Sequence, residues 1–164
     1  KSNIEIVMKK IVALLSLTLF ANFSHAQLNG FKKVPNVDPN VMYTFKTNPT
    51  ADVLYRINIS KFDNELDYFA NIDLTKNLPE EHSSTYPRVD YKELLDLLNL
   101  NLSTTEKKVK DNKNLACEVV GQMRITGTFT DEGLDAFRFP ETINIDITKA
   151  TRLGEPQISC KKSK

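Results

Sequence analysis

Between residues 52 and 60 the chain reads DVLYRINIS, so that Val53, Tyr55, Ile57 and Ile59 alternate with Asp52, Leu54, Arg56 and Asn58. Successive side chains on a strand point to opposite faces, and a β-branched or aromatic residue at every second position specifies a strand with one face buried. The pattern recurs at 66–74 (LDYFANIDL), with Leu66, Tyr68, Ala70, Ile72 and Leu74 in phase, and at 142–150 (TINIDITKA), with Ile143, Ile145 and Ile147 in phase. Strands of this one-sided kind belong to antiparallel sheets, whose other face meets water. Asp63-Asn64 between the first two runs predicts a hairpin turn.

Two further strands are expected at 41–47 (VMYTFKT) and 117–129 (CEVVGQMRITGTF), and a closing strand segment at 152–161. Gly121 and Gly127 inside the 117–129 run predict bulges or sharp coiling. One main helix is expected over about 90–102. Asp90 offers an N-cap, with Glu93 three positions on, and Leu94, Leu95, Leu97, Leu98 and Leu102 form an apolar stripe. The charged stretch 103–114 (STTEKKVKDNKN) reads as an exposed linker, 76–88 as a polar loop, and 131–137 as a turn with a short helical piece. Residues 27–40, with Pro35 and Pro39, read as an extended lead-in.

The order of these segments gives a β-rich α+β domain: an antiparallel curved sheet or small barrel of about five to six strands with one main helix. Placing the helix between the third and fourth strands is similar to the order of the oligonucleotide/oligosaccharide-binding (OB) barrel, and this resemblance implies an OB-like fold.

The N-terminal region reads as an address rather than as part of that domain. Residues Met8 to Ala26 carry Lys9 and Lys10, then an apolar run from Ile11 to Phe20, then Ser24-His25-Ala26, the three parts of a cleavable export signal. Cleavage would leave Gln27 at the mature end and 27–164 as lead-in plus one globular domain, with 41–164 as the domain itself. Residues 1–7 are set aside as an upstream extension. These features predict a bacterial protein that is periplasmic or secreted, with no membrane span in its mature form.

Cys117 and Cys160 are the chain's 2 cysteines, and both lie beyond the export signal. An oxidising destination makes a disulfide between them the expected state, since a redox pair would show C-x-x-C spacing. The chain has 22 basic and 21 acidic residues. That balance lacks the concentrated Lys/Arg excess of a nucleic-acid binder, so no nucleic acid is expected as partner.

Of the 2 histidines, His25 leaves with the export signal and only His82 stays. One histidine cannot build a multi-histidine zinc site or an H-E-x-x-H helix, and His82 beside Ser83 and Ser84 has no G-x-S-x-G elbow. The run Asp131-Glu132-Gly133-Leu134-Asp135 does not match a calcium loop. No metal, cofactor or catalytic residue is therefore assigned. Tyr43, Tyr55 and Tyr68, with Arg56 and Arg124, are the candidate ligand groove of a barrel face. The expected function is a small exported, non-enzymatic binding protein acting on an envelope protein or an oligomeric ligand. The alternative is a small cell-envelope hydrolase that uses paired carboxylates.

Overall fold

A computed structural model describes residues 29–78, 87–112, 114–131 and 143–162. Residues 8–26, read above as an export signal, His82 and the segment 132–142 lie outside them. The described residues form eight strands and two helices: β1 (Phe31–Val34), β2 (Tyr43–Thr47), β3 (Ala51–Phe62), β4 (Glu65–Asp73), β5 (Arg88–Val89), α1 (Tyr91–Leu98), α2 (Ser103–Asp111), β6 (Leu115–Asp131), β7 (Ile143–Arg152) and β8 (Gln157–Lys162).

The sheet is antiparallel throughout and built around β6. Along one edge β6 pairs first with β3, from Ile59↔Cys117 to Ala51↔Ile125, and then with β2, from Lys46↔Thr128 to Tyr43↔Asp131. Along its other edge it pairs first with β8 and then with β7. β4 extends the sheet beyond β3, β5 beyond β4, and β1 beyond β2. β5 comes round toward β7, and α1 packs against both β4 and β7, so the sheet is a curled half-barrel with the helices on its concave side.

The alternation read from the sequence fixes which face is inside. Tyr55, Ile57, Ile59 and Ile72 are fully buried, Val53 and Ala70 nearly so, and Val119, Met123, Ile125 and Phe129 continue the same face along β6. Leu94 and Leu98 of α1, Leu102 at the start of α2 and Val109 within it close over them. Each such side chain contributes on the order of 1.5–3 kcal/mol by leaving water. The β3–β4 hairpin turns on Asp63 and Asn64, at φ 48 and 71, the pair of left-handed residues that a tight hairpin requires.

Both predicted glycines mark close approaches. At Gly127 the β6–β7 register shifts, a Cβ would run into the Asp146 carbonyl, and the freed Gly127 N–H donates to Thr47 Oγ1 at 3.1 Å. Gly121 sits opposite Tyr55, and a Cβ there would collide with the Tyr55 ring and hydroxyl.

The helical region differs from expectation in two ways. The helix expected over 90–102 stops at Leu98: Asp90 caps α1 through Glu93 N–H at 2.9 Å, and Asn99, at φ 48, ends it in the left-handed conformation. The expected linker 103–114 is largely α2, because Thr105 and Val109, four apart, form a small buried stripe within an otherwise charged segment. The lead-in is corrected too, since Phe31 is buried and β1 pairs with β2. The short strands β1 and β5 raise the count from five or six to eight. Among the described residues no helix is long and apolar enough to cross a membrane.

Candidate binding surface

The five residues nominated for a groove divide between the two faces of the sheet. Tyr43, Tyr55 and Tyr68 share the inner face; Tyr55 is 0% exposed, and Tyr43 and Tyr68 pack against the core. Arg56 and Arg124 stand on the outer face, because they occupy the opposite phase of β3 and β6. No single groove holds all five.

Each arginine is matched by a carboxylate. Arg124 grips Asp52, its partner directly across the β3–β6 ladder, through Nε–Oδ1 at 2.6 Å and Nη2–Oδ2 at 2.7 Å. The forked pair holds the Asp52 carboxyl below the ordinary aspartate range, chiefly through the hydrogen bond from Arg124. Arg56 lies 3.3 Å from Glu118 on the same face.

Above Asp52, the turn that follows β4 roofs a cleft of about 290 Å³ lined by Asp52, Val53, Leu54, Asp73, Lys76, Asn77 and Gln122. Asn77, almost fully buried, fastens this turn to the rest of the domain by donating to the Asn29 carbonyl at 2.7 Å and the Asp52 carbonyl at 3.2 Å. Asp73 Oδ1 accepts from the Thr75 N–H at 3.0 Å and its hydroxyl at 2.6 Å. A second, smaller hollow of about 120 Å³ lies on the seam between β5, α1 and β7, lined by Arg88, Asp90, Glu93, Leu94, Ile145 and Ile147 among others.

Tyr68 belongs to a different arrangement, one that leucine periodicity alone could not show. Its ring stacks on Tyr91 of α1 with centroids 4.0 Å apart, and the Tyr91 hydroxyl donates to Glu106 Oε1 of α2. Burial, and then the neighbouring Glu106 carboxylate, push both phenols above the usual tyrosine range. They stay protonated donors, so this knot ties β4, α1 and α2 together and supplies no base at neutral pH.

Cys117 and Cys160 are joined in a disulfide, with Cα atoms 4.1 Å apart, at directly paired positions of β6 and β8. Every residue of β8 is exposed, and Ile158 stays 48% exposed although its ladder partner, Val119, is completely buried. Among the described residues, no three His, Cys, Asp or Glu side chains come together to hold a metal ion. Compared with known proteins, the chain matches no family model, no curated protein and no solved structure.

Proposed function

We propose that the chain is a small, non-enzymatic, exported binding protein, periplasmic or secreted, that takes an extended segment of a partner along β8. The observation that carries this reading is the state of that strand. In antiparallel pairs, Cα atoms near 4.5 Å mark the non-hydrogen-bonded position and about 5.5 Å the bonded one. The 4.1 Å separation of Cys117 and Cys160 therefore points the N–H and C=O of Cys160, and by alternation those of Ile158 and Lys162, away from β6. β8 pairs with no other described strand. An edge with unpaired backbone groups and an uncovered Ile158 is what strand addition uses. Lys161 and Lys162 give it a positive charge that suits an acidic segment.

Export is supported by the sequence of residues 8–26 and by a disulfide that suits an oxidising compartment. An OB-like identity for the half-barrel is part of the same reading, supported by helices inserted between strands of a coiled antiparallel sheet. The paired-carboxylate hydrolase is less well served. Asp52 and Asp73 line one cleft, but both Asp52 oxygens are held by Arg124, which leaves that carboxylate poorly placed to act as base or nucleophile.

The test is Ile158→Pro, which deletes one outward N–H while leaving the β6 ladder intact. A labelled peptide of alternating Glu and Val is expected to bind the parent chain saturably, and to bind the variant about tenfold more weakly at unchanged melting temperature. Equal binding to the variant, or equal binding of an alternating Lys and Val peptide, rejects the reading.

A further inference from the structure

The outer-face cleft carries an inference independent of β8. Two carboxylates line it, and they are not equivalent. Both oxygens of Asp52 are taken by Arg124, whereas Asp73 is engaged only through Oδ1, which Thr75 holds, leaving Oδ2 without a hydrogen bond among the described residues. Lys76, an exposed residue, also lines the cleft and makes no ion pair among the described residues. The cleft thus presents one available negative group and one available positive group that do not neutralise each other. Gln122 adds an amide and Leu54 an apolar patch.

The walls are fixed before any ligand arrives. Thr75 sets the Asp73 carboxylate, and the two hydrogen bonds from buried Asn77 set the turn that bears Lys76. Groups held in place in advance bind without the entropy cost of ordering them. At about 290 Å³ the cleft sits at the lower end of ligand sites, which suits a metabolite rather than a polymer.

We infer that this cleft binds a small zwitterion, with the ligand's ammonium on Asp73, its carboxylate on Lys76 and its side chain over Leu54 and Gln122. Free amino acids and their close derivatives have this chemistry.

The experiment follows backbone amide signals of the full chain by NMR during titration with three probes: L-glutamine, N-acetyl-L-glutamine, which lacks the ammonium, and L-glutaminamide, which lacks the carboxylate. L-glutamine is expected to shift Leu54, Asp73, Asn77 and Gln122, and each singly charged probe to bind on the order of tenfold more weakly. Asp73→Asn, which keeps the acceptor for Thr75, is expected to erase the advantage of L-glutamine over the N-acetyl form. Lys76→Met is expected to erase its advantage over the amide. Equal affinities for all three probes, shifts confined to other regions, or no shift at all overturn the inference. Neither variant touches β8, so the result is separate from the fate of the strand-addition reading.

Discussion

The Tyr55 ring crosses the backbone of Gly121 on the neighbouring strand, and its hydroxyl, fully buried, has no hydrogen-bond partner among the described residues. The ring covers the stretch of β6 where pairing passes from β8 to β7, between Val120↔Gln157 and Met123↔Arg152. Gly121→Ala is expected to destabilise the domain by about 3 kcal/mol or more, because the new methyl meets the Tyr55 ring and hydroxyl, which are fully buried in the core and have little room to move aside. Tyr55→Phe is expected to be neutral or to stabilise by about 1 kcal/mol, since it removes a desolvated hydroxyl that gains nothing. Urea unfolding of the two variants checks both signs.

Burial of the Tyr68 and Tyr91 phenols, reinforced by the Glu106 carboxylate, makes stability fall at high pH. Both Tyr68 and Tyr91 have folded-state pKa values above the reference of 10.0. Their contribution is therefore fully present below pH 10 and is lost as pH rises above it, where the unfolded chain releases protons that the native state retains. The urea midpoint should drop between about pH 9 and about pH 11. Tyr91→Phe should cost about 1.5–3 kcal/mol at neutral pH, as expected for a hydrogen bond to a carboxylate, and should flatten the alkaline drop.

Reduction of the disulfide should release β8 before the rest of the sheet. β8 buries none of its own residues, so backbone pairing with β6 and the Cys117–Cys160 bond are what keep it in place. The Cys117→Ser, Cys160→Ser double variant should lose about 2–4 kcal/mol. Its amides at Gln157, Ser159 and Lys161 should exchange with solvent far faster than those of β3 in the same molecule. Uniform exchange across the sheet would show instead that β8 is held by packing.

Much of the sheet was legible in the sequence because period two carries its meaning locally. The phase of DVLYRINIS assigns the buried face of β3 without reference to any partner, and the Asp63-Asn64 turn and both strand glycines could be read the same way. The same rule separates Tyr55 from Arg56: adjacent residues on a strand face opposite ways, so a groove containing both was excluded by parity alone. Helix α2 was hidden by its charge. Thr105 and Val109 are the only buried residues among nine, too weak a stripe to stand out from Glu106, Lys107, Lys108 and Lys110. Lining of the cleft by Asp73, Lys76 and Gln122 was not readable in the sequence, because it depends on β3 lying between β4 and β6 and on Asn77 reaching back to Asn29.

The 17-residue strand β6 has a consequence for the order of assembly. β2 and β3, though consecutive in sequence, pair not with each other but each with β6, and so do β7 and β8. Before residues 115–131 emerge, the chain can form the β1–β2 and β3–β4 hairpins but no strand pairing that joins them. Isolated hairpins are marginal in water. Their union waits on contacts between residues far apart in sequence, which is the condition for slow and all-or-none folding. Cutting β6 short would therefore cost the domain its closure and not merely one strand, because four neighbours lose their shared partner at once.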